Sequence, residues 1–232
     1  MIRNLKVLLA AAMALAAFGA LSATAHAAEE FHCSVQPCRY TASVDGTGAT
    51  AHHVFIIKNA GGETGSITCT SFTGEGTTTT KTTVELTLQN IKYGGCKING
   101  VSEVNVRMNS CDYLFTAANG ATVAGAEVHI FCTSTPHIEI EIVPTKCIFE
   151  VTPQTATGIH YHNIGTPGTT STEVTVEAAV PVSGVEVKSA GAGCTPKASV
   201  GDSLSANYTT GNTIVTAEKD EVTKTMVEGW WA

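Results

Sequence analysis

Along much of the chain, apolar and polar residues alternate one by one. The clearest stretches are 84–88, 104–108 and 138–142, in which every second residue is aliphatic or methionine. Successive side chains of a β-strand point to opposite faces of a sheet, so this alternation predicts strands with one buried and one solvent-facing side. Turn-forming pairs such as Asn99-Gly100 and Asn119-Gly120 separate the stretches. The pattern predicts an all-β protein with an antiparallel, β-sandwich-like fold.

The stretch 109–132 predicts a hairpin bracketed by Cys111 and Cys132. If these two cysteines face each other, further apolar residues come into register on the same face, and a slip of one residue would turn all of them away from it. Cysteine ligands of zinc usually occur as close C-x2–4-C pairs, and no such pair lies in this stretch. A disulfide-stapled hairpin is therefore expected, in which the facing pairs are Cys111 with Cys132, Tyr113 with Ile130 and Phe115 with Val128.

The chain contains eight cysteines, an even number, which in an exported protein predicts disulfides. Cys33 and Cys38 have four residues between them, whereas a redox pair normally has the form C-x-x-C at the start of a helix, so a small structural loop is expected here. Spacing alone does not fix the connectivity of the other cysteines. The expected pairs are Cys33–Cys38, Cys69–Cys96, Cys111–Cys132 and Cys147–Cys194.

Residues 66–86 align without gaps to residues 158–178 and share eight identities, although the threonine-rich composition inflates this number. The alignment suggests an internal repeat and two similar lobes with a boundary near residues 133–136. That boundary leaves six cysteines before it and two after it, so the cysteines of each lobe could form disulfides with one another. Two organisations stay open: lobes at 28–133 and 134–232, or one continuous β domain over 28–232.

Residues 1–27 have the features of a secretory signal peptide. Arg3 and Lys6 precede an apolar run from residue 7 to about residue 21, and Ala25-His26-Ala27 provides the small-x-small pattern of a cleavage site. No later stretch approaches the ~20 apolar residues needed to cross a bilayer. The sequence therefore predicts a secreted or extracytoplasmic protein, without membrane insertion once the signal peptide is removed.

The charge of the chain limits its partners. The net charge is −7 for the whole chain, and removing Arg3 and Lys6 leaves 11 basic against 20 acidic residues, or −9. An acidic chain without basic clusters is a poor match for nucleic acid or for anionic membrane surfaces. Charged residues make up only 14% of the chain, against roughly 25% in average domains. The sequence does not identify the partner; a cell-wall component or another protein is one expectation.

Six short motifs and a tryptophan-bearing terminus are spread over residues 52–232; the motifs are ITCTSF, YGGC, NSCDYLF, VHIFC, IEIEIV and CIFEV. In these motifs the chain resembles an uncharacterised family of exported, cysteine-paired all-β proteins of actinobacterial type. The resemblance implies export and a β-fold, and it offers no catalytic or binding residues.

His160 and His162 flank Tyr161 and would lie on one face of a strand, a spacing that some zinc sites use. A third ligand would have to come from a distant histidine or carboxylate, and nothing in the sequence brings one near. Because Ile159 and Tyr161 share the other, more apolar face, we expect the two histidines to face outward. His160 and His162 are candidate metal ligands, but no metal or other cofactor is assigned.

Residues 201–204 spell GDSL, a signature of hydrolases in which the serine is the nucleophile. A serine hydroxyl needs a neighbouring base, yet no histidine follows His162, and the α/β pattern of those hydrolases is missing. The string therefore indicates a turn that enters a strand, and no catalytic residue is assigned.

Two further groups have both a structural and a functional interpretation. Trp230 and Trp231 could form a stacking platform for a ligand, although a terminal strand more often docks its aromatic residues on the core. Glu139 and Glu141 could suggest a glycosidase, but the alternation places them in a solvent-facing row.

From the sequence we expect an exported, non-enzymatic β-protein with a structural, adhesive or binding role at the cell surface or in the medium. The alternatives are an extracytoplasmic metal-binding protein, based on His160 and His162, and a secreted hydrolase, based on Ser203.

Overall fold

The computed structural model contains strands and turns but no helix among the residues it describes, so the all-β prediction is confirmed. Among those residues there is accordingly no helix long and apolar enough to span a membrane. The predicted signal peptide and the Asn119-Gly120 turn lie outside them. The described residues are 30–44, 52–116, 126–134, 137–166, 169–170, 173–178, 182–189, 194–199, 201–209, 213–219, 226 and 229–231. The strands are β1 (Phe31–Cys33), β2 (Cys38–Val44), β3 (His53–Lys58), β4 (Thr64–Cys69), β5 (Ser71–Thr78), β6 (Thr82–Thr83), β7 (Glu85–Gly94), β8 (Lys97–Ile98), β9 (Ser102–Arg107), β10 (Cys111–Thr116), β11 (Ala126–Cys132), β12 (Ile138–Ile142), β13 (Cys147–Val151), β14 (Gln154–Ile164), β15 (Glu173–Ala178), β16 (Val182–Ser189), β17 (Ser203–Thr209), β18 (Thr213–Glu218) and β19 (Gly229–Trp231).

These strands form two closed eight-stranded barrels and one three-stranded sheet, and all of their pairings are antiparallel. Around the first barrel the order is β2-β5-β7-β10-β11-β14-β15-β18. Around the second barrel it is β3-β4-β8-β9-β12-β13-β16-β17. Closing a sheet into a ring pairs the backbone groups that an open sheet would leave exposed at its edges. The antiparallel, β-sandwich-like sheets expected from the sequence are thus closed into barrels.

The chain alternates between the two barrels. After β2 in the first barrel, β3 and β4 lie in the second, β5 and β7 in the first, and β8 and β9 in the second, and this exchange continues to β18. Each barrel therefore takes strands from both halves of the chain. A boundary between residues 133 and 134 would cut through both rings, which corrects the prediction of lobes at 28–133 and 134–232. That prediction assumed that strands close in sequence stay in one lobe.

The two segments that suggested an internal repeat occupy different places in the fold. Residues 66–86 run from β4 in the second barrel into β5 in the first, whereas residues 158–178 lie in β14, β15 and the connection between them. Ile67 belongs to the core of the second barrel, and its aligned partner Ile159 belongs to the core of the first. The sequence match therefore does not correspond to equivalent positions in the fold.

Each barrel has its own apolar core. Tyr40, Leu88 and Ile159 are buried in the first, and Ile57 and Phe149 are buried in the second. Inside the first barrel the side chains leave a cavity of ≈ 10 Å³, which is no more than about one water molecule requires. Its interior is filled by side chains, as is usual for a barrel of this strand number.

The predicted hairpin forms in the predicted register. β10 pairs with β11 so that Cys111 faces Cys132, Tyr113 faces Ile130 and Phe115 faces Val128. The buried side chains of both strands contribute to the cores, since Val128 packs in the first core and Cys111 in the second. Alternation together with the two cysteines was sufficient to fix this local pairing.

All eight cysteines are paired, in the connectivity expected from the sequence: Cys33–Cys38, Cys69–Cys96, Cys111–Cys132 and Cys147–Cys194. In the second and third of these pairs the Cα atoms are 3.9 Å apart. Cys111 and Cys132 face each other on paired strands, and Cys96 directly precedes β8, the strand that pairs with β4 of Cys69. Cys33–Cys38 joins β1 to β2, and Cys147–Cys194 joins β13 to the segment 194–199.

The three-stranded sheet, β19-β1-β6, packs on the first barrel. Phe31 of β1 is buried in the first core, where its ring meets Tyr161 edge-on with centroids 5.1 Å apart. Gly229 of β19 lies so close to β18 that a Cβ there would be 2.3 Å from the Cβ of Ala217. Only glycine fits this approach without displacing one of the two strands.

Aromatic side chains join the two cores. Tyr93 and Tyr113 pack against both, and their hydroxyl oxygens are 3.1 Å apart. The ring of His53 stacks on Phe72 with centroids 4.6 Å apart, and its Nε2 is 3.0 Å from Thr213 Oγ1. Burial lowers the pKa of His53 to about 3 and raises the pKa of Tyr113 to about 12. Both side chains are therefore uncharged at neutral pH.

We expect the buried His53 to make the protein less stable in acid. In the unfolded chain the imidazole takes up a proton below its ordinary pKa of 6.5, whereas in the folded protein it stays neutral down to about pH 3. The destabilisation caused by His53 is therefore absent above pH 6.5 and grows as the pH falls towards 3. At roughly pH 5 it lowers the free energy of unfolding by about 2 kcal/mol. Urea unfolding at neutral pH and at pH 5 measures it.

A substitution at the same position provides the control for this pH dependence. His53→Phe keeps an aromatic ring on Phe72 but cannot be protonated, so the His53 part of the acid sensitivity should disappear. His162→Gln, at an exposed position, should retain that sensitivity. Equal acid sensitivity of His53→Phe and the unchanged protein would contradict the assignment.

Candidate binding pocket on the first barrel

The structure places His160 and His162 on β14, where Ile159 and Tyr161 are buried, His160 is half-buried and His162 is exposed. The two histidines therefore lie on the outward side of the strand, as expected. The Nε2 atom of His160 is buried and has no hydrogen-bond partner among the residues that the structure describes. Within the described part of the chain, no group of three histidine, cysteine or acidic side chains is arranged to hold a metal ion.

Other histidines that could have supplied a third ligand have partners of their own. The Nδ1 atom of His129 is 2.7 Å from the Thr155 hydroxyl, and the Nε2 atom of His137 is 3.5 Å from Glu150 Oε1. His53 is buried between aromatic rings. The structure brings none of these three to His160 and His162 as a metal-binding group.

The GDSL string forms the turn into β17. Gly201 has a φ of 88°, a conformation that favours glycine. The carboxylate of Asp202 accepts a hydrogen bond from the Ser199 backbone N–H at 2.7 Å, and Leu204 is buried in the second core. Gly201, Asp202 and Leu204 thus have structural roles in a turn that enters a strand.

The backbone of the terminal tryptophans lies in β19, where Trp231 pairs with Phe31 and Trp230 pairs with His32. The side chains of Trp230 and Trp231 lie outside the described residues, so the stacking platform suggested by the sequence stays a prediction.

The glutamates of β12 are less exposed than the alternation predicted. Arg107 lies across them. Its guanidinium forms one ion pair with Glu139 and a second ion pair, of 2.6 Å, with Glu141. Lys146 adds a contact of 3.2 Å, and Glu141 as a whole is only 9% exposed. The hydrogen bond from Arg107 is the main reason that the pKa of Glu141 is lowered. The predicted solvent-facing row is thus partly covered by a guanidinium group from the neighbouring strand.

A second arginine with two carboxylates lies on the first barrel and was missed by the sequence reasoning. The guanidinium of Arg39 in β2 donates a hydrogen bond to Glu75 of β5. It donates a second one, of 2.7 Å, to Glu218 of β18. Since β2 lies between β5 and β18, its outward-pointing arginine reaches an acid on each side. Thr41, two residues further along β2, donates to Glu218 at 3.1 Å. The carboxylates are 36 and 179 positions from Arg39 in sequence, so no local pattern indicates the cluster.

Asn90 holds Glu75 from the other side. Its amide donates to Glu75 Oε1, and the backbone of Asn90 has a φ of 52°, which asparagine tolerates better than most residues. The hydrogen bonds from Arg39 and then Asn90 lower the pKa of Glu75, which keeps the carboxylate ionised. Glu75 is therefore fixed by two partners while 36% of its side chain is exposed.

A cavity of ≈ 350 Å³ opens beside this cluster. Its volume lies at the small end of the range for small-molecule sites, about 300–1,000 Å³. Gly76 contributes to the wall at a point where β5 approaches β7 so closely that a Cβ would be 2.3 Å from the Thr87 carbonyl oxygen. The polar side chains that line the cavity are Arg39, Glu75, Thr77, Gln89, Asn90 and Lys219. We refer to this cavity as the Arg39 pocket.

Comparison of the chain with protein families, curated proteins and solved structures finds no match. The resemblance to exported actinobacterial β-proteins therefore stays a prediction, and the structure itself is the source of the functional argument.

Proposed function

We propose that this protein is exported and has a structural, adhesive or binding role, without catalysis, at the cell surface or in the medium. The observation that carries the proposal is the pairing of all eight cysteines in four disulfides. Disulfides form and persist in oxidising compartments and are rare in the cytosol. The signal-peptide pattern of residues 1–27 supports the same location.

The Arg39 pocket supports binding as the role of the outer surface. A general acid or base works best with a pKa near the working pH, whereas Arg39 and Asn90 move the pKa of Glu75 downwards. A carboxylate that is kept ionised and held in place by two partners is suited to recognise a ligand. The expected partner is a cell-wall component or another protein, and the acidic charge of the chain disfavours nucleic acid.

Export and thiol state can be tested together on the full chain, produced in a bacterial host with an active secretory pathway. We expect cleavage after Ala27, recovery outside the cytoplasm, and no free thiol until the denatured protein is reduced. Mass spectrometry of the mature N-terminus and thiol titration before and after reduction measure these outcomes. An uncleaved cytoplasmic protein with eight free thiols would contradict the proposal, and so would ester or glycoside hydrolysis that Ser203→Ala abolishes.

A further inference from the structure

We infer that the Arg39 pocket binds a saccharide, a neutral ligand with neighbouring hydroxyl groups. This inference rests on the proposed binding role and names its ligand class. The pocket is concave, its volume of ≈ 350 Å³ suits a ring-sized ligand, and most of its wall is formed by β2, β5 and β7 of a closed barrel. Sites built on such elements hold their side chains more precisely than sites built on loops.

The charges of the pocket favour a neutral ligand. Arg39 is already paired with two carboxylates, those of Glu75 and Glu218, so its positive charge is compensated before any ligand arrives. Lys219 contributes a second positive charge at the pocket and is exposed. The charges of these four residues, Arg39, Lys219, Glu75 and Glu218, balance, so they do not by themselves favour an ionic ligand.

The hydrogen-bonding groups that remain fit hydroxyls. A carboxylate offers about four acceptor positions, and Glu75 uses them for Arg39 and Asn90 only in part. Lys219 is a donor, and the amides of Gln89 and Asn90 both donate and accept. A hydroxyl group also donates and accepts, so neighbouring hydroxyls can donate to Glu75 and accept from Lys219 or Asn90. An apolar or purely anionic ligand could not satisfy this mixed set.

The side chains are also held in place before a ligand arrives. Glu75 is fixed by Arg39 and Asn90, and Asn90 is in turn held by its hydrogen bond to Glu75. Groups that are already ordered lose less conformational entropy when a ligand binds, and this favours affinity in a small polar site. The second arginine cluster provides a matched comparison, because Arg107 pairs with Glu139 and Glu141 in the same way but none of these residues lines the Arg39 pocket.

The test is a titration of the oxidised, ¹⁵N-labelled protein with glucose, galactose, mannose and N-acetylglucosamine, and separately with inorganic phosphate. We expect at least one sugar to cause saturable shifts at the backbone amides of Thr77, Gln89, Asn90 and Lys219. Glu75→Gln should weaken that binding at least tenfold, because an amide cannot accept the same hydrogen bonds. Lys219→Ala, at an exposed position, should weaken it severalfold without affecting the fold.

Glu139→Gln is the control, since it removes a similar ion pair on the second barrel and should leave sugar binding unchanged. The inference is overturned if no sugar gives saturable shifts, if phosphate alone binds, or if Glu75→Gln and Lys219→Ala both bind as tightly as the original protein. None of these outcomes changes the disulfide pairing or the cleaved N-terminus, which are the readouts for export. Failure of sugar binding can therefore be distinguished from failure of the proposed export.

Discussion

Replacing Cys147 and Cys194 together by alanine is expected to lower the free energy of unfolding by about 4 kcal/mol. This disulfide closes the longest loop of the four, since its cysteines are 47 positions apart in sequence, and so restricts the unfolded chain most. The bridge also anchors the segment 194–199, whose Pro196 is buried and packs against Gly65 of β4. Urea unfolding of the oxidised double variant measures the loss.

The matched control is the shortest disulfide, Cys33–Cys38, which spans 5 positions. The cysteines of the two bridges are similarly buried, since Cys33, Cys38 and Cys147 are at most 2% exposed and Cys194 is 7% exposed. Removing Cys33–Cys38 should cost only about 2 kcal/mol, because a short loop restricts the unfolded chain less. Equal losses in the two double variants would show that loop length does not control the stabilisation.

Phe149→Ala is expected to cost about 3–5 kcal/mol, as is usual when a large core side chain is removed. Phe149 is fully buried and is the largest such side chain among the described residues of the second barrel. Because the chain alternates between the barrels, the loss should lower the stability of both together. Hydrogen exchange should therefore accelerate by a similar factor in β13 of the second barrel and in β2 of the first.

Ile148→Ala is the control for this core deletion, because Ile148 is the neighbouring residue of β13 and is only half-buried. We expect a loss below about 1.5 kcal/mol there, since fewer contacts are removed. Faster exchange in the second barrel alone would show that the barrels unfold independently, in contradiction to the interleaved topology.

The local features of the fold could be predicted from the sequence because they depend on neighbouring residues. Alternation located β7, β9 and β12, and the spacing of apolar residues around Cys111 and Cys132 fixed the register of β10 and β11 as observed. The barrels could not be predicted in this way. Their rings close through pairs such as β2 with β18 and β3 with β17, which are far apart in sequence and have no local signal.

The same limit explains why the Arg39 pocket was missed. Arg39 stands on a short alternating strand and has no acidic neighbour in sequence, while its partners Glu75 and Glu218 come from strands on either side. The predicted exposure of Glu141 failed for a related reason. Alternation gives the face on which a side chain points, but it does not show that Arg107 from another strand covers that face.

The interleaved strands impose an order on the maturation of the chain. Three of the disulfides join cysteines at most 27 positions apart, so they can form as soon as their own hairpins or loops have been synthesised. Neither ring can close until β17 and β18 arrive, because these strands provide the last partners of β3 and β2. A polypeptide delivered N-terminus first through a secretion pore would thus carry oxidised hairpins on an open sheet. Both rings would then close almost simultaneously, as residues 203–218 emerge.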